Sequence, residues 1–129
     1  MNDCIFCKII NGDIPTNSIY EDDDIKVIMD INPVTNGHLL ILPKKHFVNI
    51  FDLDDETLLK VIGYVKQYYP MLKEKLNCIG LTLAQNNGHG QDVKHFHLHV
   101  IPRYQNDNVD LTRYAKIIDP EEIYNKLMD

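Results

Sequence analysis

The sequence predicts an α+β fold: one antiparallel sheet of about five strands with a single long helix packed on it. Three observations carry this prediction. Short apolar and β-branched segments, separated by Gly, Pro, Asn and Asp, run from Ser18 to Pro43. A long amphipathic stretch runs from Asp52 to Leu76. Two more strand-like segments follow, and in the second, His95-Phe96-His97-Leu98-His99-Val100-Ile101-Pro102, histidine alternates with apolar residues.

Taken in order, Cys4 to Ile10 reads as a short helical turn. Phe6, Ile9 and Ile10 recur at helical spacing, and Gly12 suits the C-terminal cap. Ser18–Glu21 and Ile25–Ile31 read as a hairpin around Asp22-Asp23-Asp24, whose charges belong in water rather than on a metal. Asn32 to Gly37 is a loop. His38–Pro43 is apolar nearly throughout, so both faces should be covered and the strand should be central. Asp52 and Asp55 suit the start of the long helix, and Leu58, Leu59, Ile62, Val65, Tyr68 or Tyr69, Leu72 and Leu76 form its apolar stripe. Pro70 falls inside that stretch and should kink or interrupt it. Cys78–Gln85 is a strand. The Gly- and Asn-rich loop 86–92 is short, so the histidine strand after it should return antiparallel. A polar tail leads to Asp119-Pro120-Glu121-Glu122, a helix start, and a short helix to Met128.

The chain of 129 residues suits one domain, residues 1–129, with 44% hydrophobic and 25% charged residues. Its formal charge of −6 and lack of any basic run argue against binding a nucleic acid polymer. A single nucleotide remains compatible, because backbone N–H groups hold phosphate without Lys or Arg. No apolar run is long enough to span a bilayer and the first residues do not resemble a signal peptide, so a cytoplasmic location away from the membrane is expected. Three cysteines, Cys4, Cys7 and Cys78, argue against a disulfide framework.

The alternation turns three imidazoles to one face and Phe96, Leu98 and Val100 to the other. Adjacent histidines on that face have Cα atoms about 6.6–6.8 Å apart and can serve one small centre; the first and third, about 13 Å apart, need separate roles. A histidine with one ring nitrogen held by an acceptor leaves the other free and uncharged, a nucleophile toward phosphorus that splits one displacement into two. The preceding loop supplies the complement: Gly88, Gly90 and Asn86 let backbone N–H groups approach an anion, and Asn and Gln amides can donate.

The segment His95 to Ile101 resembles the signature His-φ-His-φ-His-φ-φ of the HIT, or histidine triad, superfamily. The likeness extends through Cys4–Ile10, Asp30-Ile31-Asn32-Pro33, Gly37-His38-Leu39, Leu42-Pro43-Lys44-Lys45-His46, Asn86-Asn87-Gly88 and Gly90-Gln91-Asp92-Val93, nearest to the bacterial Hint-like branch. The resemblance implies a homodimeric α+β fold and hydrolysis or transfer at the α-phosphate of a purine nucleotide or nucleotide conjugate, through a covalent nucleotidyl-histidine and without a catalytic metal. It implies that His97 is the nucleophile, His99 the companion on the phosphate and His38 a supporting histidine. Asn86, Gly90, Gln91 and the position of Asp92 resemble the shell of the phosphate and leaving group. Asp30 matches the carboxylate for the ribose hydroxyls, and Phe6, Ile9, Ile28 and Ile31 match the apolar walls around the base. The loop 88–90 is shorter than the branch pattern, which leaves Asn86 and Asn87 able to exchange roles. Asp92 stands where the pattern has Ser or Thr, and an ionised carboxylate cannot donate a hydrogen bond.

Cys4-x-x-Cys7 alone reads as either a metal site or a redox pair. The resemblance adds His46 and His95, a Cys2His2 set that would hold structural zinc with no open position. Other histidines and tyrosines have plainer expectations: His89 solvated, Cys78 a small buried apolar residue, and the tyrosines at 64, 68 and 69 packing the helix or a dimer contact. The expected activity is a nucleoside phosphoramidase releasing AMP or GMP. Alternatives are a dinucleoside polyphosphate hydrolase, a nucleotide phosphorylase, a metal-dependent hydrolase using His95 and His97, and a non-catalytic nucleotide-binding regulator.

Overall fold

The structure is a computed structural model that describes residues 3–110 and 119–129. Part of the expected polar tail, 111–118, lies outside the described residues. The elements are α1 (Ile5–Ile10), β1 (Ser18–Glu21), β2 (Ile25–Met29), β3 (Leu39–Pro43), α2 (Asp55–Leu76), β4 (Gly80–Ala84), β5 (Leu98–Arg103) and α3 (Pro120–Met128). The five strands form one sheet in the order β1-β2-β3-β5-β4, antiparallel throughout. The expected α+β architecture is the observed one.

The period of two in each strand decides which side it serves. Val27, Leu39, Ile41, Leu98 and Val100 face α2 and pack with its Val61, Val65 and Leu72. Their neighbours Ile28, Leu40 and Leu42 face the other way and pack under Phe6 and Ile9 of α1. Thus β3 is buried along its whole length, as a central strand must be. The small α1 carries the walls of a second, separate apolar cluster, and it is on this side that the site forms.

Several details of the elements differ from the sequence reading. The histidine strand enters the ladder only at Leu98. His95 to His97 run up to the sheet outside it, and the Phe96 N–H bonds instead to the Phe47 carbonyl at 2.7 Å. The cap of α2 is Asp54, whose carboxylate accepts from the Thr57 N–H, while Asp52 closes the preceding turn by accepting from Val48 and Asn49. Pro70 does not interrupt α2. It lies exposed, as does Lys66 one turn before it, so water can take the carbonyl that the missing N–H leaves free. The stripe of α2 is also rotated: Val61 is fully buried and Leu59 lies 72% exposed.

The loop 32–38 is pinned to the end of β5. Thr35 Oγ1 donates to the Pro102 carbonyl at 2.7 Å, and the Tyr104 hydroxyl donates to that of Asn36 at 2.6 Å. Gly37 has φ +88° and backs onto Leu76 and Pro102, where a side chain has neither the conformation nor the room. These contacts fix the position of His38.

Candidate active site and metal cluster

The three histidines of the signature divide between two places, and their hydrogen-bond partners assign their tautomers. His97 Nδ1 lies 2.8 Å from the His95 carbonyl, which can only accept. The proton is therefore on Nδ1, and Nε2 keeps a lone pair. The ring is buried and stands edge-on to Phe6, centroids 5.0 Å apart.

His99 is set by a chain that begins in the backbone. The Val34 N–H donates to His38 Nδ1 at 3.1 Å, so His38 carries its proton on Nε2. That nitrogen lies 3.0 Å from His99 Nδ1, which accepts, and His99 is left with its own proton on Nε2. Asp30 Oδ2 lies 3.4 Å from His38 Nε2 and 3.9 Å from His99 Nδ1. Burial lowers the pKa of both histidines, and the Asp30 charge opposes it at each. Asp30, His38 and His99 are close enough together to be considered as cation ligands. The Val34 N–H argues otherwise, because it leaves His38 presenting a proton rather than a lone pair.

His95 turns away to the other place. Its Nε2–H donates to the Pro43 carbonyl at 2.8 Å, so Nδ1 is a lone pair. Around that lone pair lie His46 Nδ1 at 3.1 Å, Cys4 Sγ at 3.4 Å and Cys7 Sγ at 3.5 Å. Burial lowers the pKa of His95 to about 4, and it stays neutral in ordinary buffers. Burial and the neighbouring Cys4 push the Cys7 thiol up to about 11. All four ligand atoms lie within 4.8 Å of one another. Tetrahedral zinc with bonds of about 2.0–2.3 Å sets its ligand atoms about 3.3–3.8 Å apart. The donor set fits: a buried imidazole lone pair converging on other electron-pair donors calls for a cation, and its far N–H on a carbonyl is the usual outer support of a metal-bound histidine. His95 and His97 thus point to different centres and do not form a metal pair.

A cavity of 310 Å³ opens between α1, β2 and the loop before β5. His97, His99, Asp30, Asp92, Phe6, Ile9, Ile28 and Ile31 all line it, although Ile31 is 87% exposed and forms a rim rather than a wall. His38 lies behind His99. Asn86 and Gly90 are exposed on the neighbouring loop, outside the lining. The Asn86 side chain makes no hydrogen bond among the described residues, whereas Asn87 is tied to Gln85 and the Ile50 N–H. Gln91 departs from its expected role. Its amide nitrogen donates to the carbonyls of Val48 and Val93, and its Oε1 accepts from the Gly88 N–H, so this buried side chain clamps the loop and presents nothing to a phosphate. Leu40, Val93 and Ile14 also line it and were not anticipated. Leu40 was discoverable, since it alternates with Ile41 onto the side of Leu42; Ile14 lies in a turn and carries no such signal.

A family model described as HIT domain matches residues 11–106. The chain belongs to the HIT family. A HIT-like protein of Methanocaldococcus jannaschii is 40% identical over 128 residues, covering 96% of this chain and 98% of that one. The adenylylsulfatase HINT3 of Arabidopsis thaliana is 35% identical over 130 residues, 93% of this chain and 64% of that one. Among solved HIT structures, a zinc-bound histidine triad family protein from Mycobacterium smegmatis superposes with a TM-score of 0.80 at 37% identity, covering 94% of this chain and 87% of that one. The five-stranded sheet with its long helix is the HIT fold, a nucleotide-binding, hydrolase-type fold. No helix among the described residues is long and apolar enough to cross a membrane.

Proposed function

We propose that the protein is a nucleotidyl hydrolase of the phosphoramidase type, acting on purine nucleoside 5′-phosphoramidates in the cytoplasm. One observation carries the reading: His97 lies in the wall of the cavity with its Nδ1–H on the His95 carbonyl, which leaves Nε2 as the ring nitrogen not held by that bond. The base enters between Phe6, Ile9, Ile28 and Leu40, and Asp30 accepts from the ribose hydroxyls with the lone pairs its neighbours leave open.

His97 Nε2 attacks the α-phosphorus. The P–N bond to the leaving amine breaks, and that nitrogen takes a proton from His99 Nε2–H. This step draws on one extra proton shared by the His38–His99 pair and balanced by Asp30. Water then attacks phosphorus, the bond to His97 breaks, and the water proton returns to the pair as the nucleoside monophosphate leaves. Exposed Asn86 and the loop backbone at Gly90 are the donors available to the phosphoryl oxygens.

His97→Ala should abolish turnover while AMP still binds, read by steady-state kinetics beside calorimetry. A fully active variant refutes the nucleophile. A second reading, hydrolysis of adenosine 5′-phosphosulfate, is favoured by the Arabidopsis relative. A turnover panel of adenosine phosphoramidate, diadenosine polyphosphate and adenosine phosphosulfate separates the readings.

The Cys4, Cys7, His46 and His95 set would hold zinc as a closed structural ion, supported by its donor geometry and by the zinc-bound relative. We also propose a homodimer. The open edge of β4 supports it, with Ile79 and Leu83 exposed beside it. Sedimentation equilibrium should give twice the chain mass of 15.0 kDa, and a monomer at micromolar concentration refutes it.

A further inference from the structure

Among the described residues, the cavity that holds His97 and His99 has two carboxylates in its lining, Asp30 and Asp92, and no Lys or Arg. Imidazole and backbone N–H groups can meet one phosphoryl group. A leaving group that brings further phosphate or sulfate adds negative charge that nothing in this lining offsets.

Asp92 is one of those carboxylates. It is exposed, and its charge acts on His99, the proton donor to the leaving atom. With Ile5 and Val93 it also lines a second cavity of 570 Å³, so the two share a wall at Asp92. Among the described residues the second cavity adds Asp3 and one cation, Lys94. The Lys94 ammonium is drawn to the loop, donating to the carbonyls of Gly88 at 3.3 Å and Gln91 at 3.1 Å. Cys4 and His46 lie on another side of this cavity. A zinc ion there with two thiolates would carry no net charge and leave the balance negative.

We propose that the 570 Å³ cavity is the leaving-group subsite, and that Asp92 makes it select amines bearing a second, positively charged group over anionic leaving groups. This rests on the phosphoramidase reading and sharpens it. The bond broken is the same P–N bond; the cationic end of the amine lies against Asp92 and takes no part in the step. Adenosine phosphosulfate and dinucleoside polyphosphates fall on the disfavoured side.

The test uses three adenosine phosphoramidates of matched length whose amines end in an ammonium, a methyl or a carboxylate. In the wild type, kcat/KM should fall in that order, by about tenfold from cation to anion at low ionic strength. Asp92→Asn, a change at an exposed position, should compress that ratio severalfold, and 0.5 M salt should compress it in the wild type. A wild-type ratio of one, or a ratio untouched by Asp92→Asn, overturns the proposal. If none of the three is hydrolysed, the phosphoramidase reading fails by itself. Dissociation constants of the same three compounds then decide the subsite: tighter binding of the cationic one, lost in Asp92→Asn, supports it, and equal or absent binding overturns it.

Discussion

A backbone N–H, that of Val34, determines which nitrogen of His99 carries the proton. It fills His38 Nδ1, His38 then donates to His99, and His99 presents Nε2–H to the cavity. Asp30 sets the ease with which this pair takes an extra proton. Burial holds both histidines below their ordinary value of 6.5, and Asp30 pulls both upward. In the proposed mechanism the step that expels the amine uses the protonated pair, so kcat/KM should decline as pH rises through the pair's apparent pKa. Asp30→Asn removes the upward pull, lowers that pKa and should move the declining limb to lower pH. A pH–rate profile checks this, and a limb that stays or moves upward contradicts it. Residues of this kind were partly legible in the sequence. His97, His99, His38 and Asp30 carry distinctive side chains, and the resemblance to the family pattern grouped them. Val34 acts through its main chain, which no residue type announces. Gln91 misled for a related reason: an amide in a phosphate-facing loop can donate either way, and only the packed structure shows that the Val48 and Val93 carbonyls take its hydrogens.

At the scale of elements, alternation gave the faces correctly and the start of the last strand incorrectly. An extended chain alternates its side chains whether or not it is hydrogen-bonded to a neighbour, so His95 to His97 share the pattern of β5 without its ladder. That departure serves the site, because the His95 carbonyl is free to receive the His97 proton. Pro70 shows the opposite error. A proline forbids one hydrogen bond, but solvent supplies the substitute on an exposed face, and the 22 residues of α2 continue through it. Pro70→Ala should therefore stabilise the protein, by about 1–3 kcal/mol, with kcat/KM unchanged. Thermal unfolding beside the phosphoramidate assay checks both parts, and a lower Tm refutes the account of α2.

The whole molecule is joined at one point that the sheet does not provide. The short α1, six residues long, has Cys4 at its cap and Cys7 in its first turn, His46 follows β3, and His95 precedes β5. Two walls of the cavity, Phe6 and Ile9, ride on that helix. Zinc at the cluster would fix them against the sheet. Chelation should thus raise KM more than it lowers kcat. An ion held at a hundred times its Kd adds about 2.7 kcal/mol, a shift in Tm of about 10 °C for a chain of this size. The Cys7 thiol, pushed up to about 11, is protonated at neutral pH and must ionise to bind. Zinc uptake should accordingly release at least one proton per ion, and affinity should climb with pH. Titration in dilute buffer with a pH indicator measures this; uptake without acidification contradicts it. The family pattern made the four ligands legible together, whereas Cys4-x-x-Cys7 by itself left metal and redox readings equally open.

The separations within that cluster carry a consequence for how the molecule comes into being. Cys7 and His46 are 39 residues apart, and His46 and His95 are 49 apart. Joining them ties off two long loops of chain, and the entropy of those loops must be surrendered before the fourth ligand arrives. During synthesis the cysteines emerge first and His95 last. The cluster draws on both halves of the sheet, so zinc held there would link them and would be fully coordinated only once they have met.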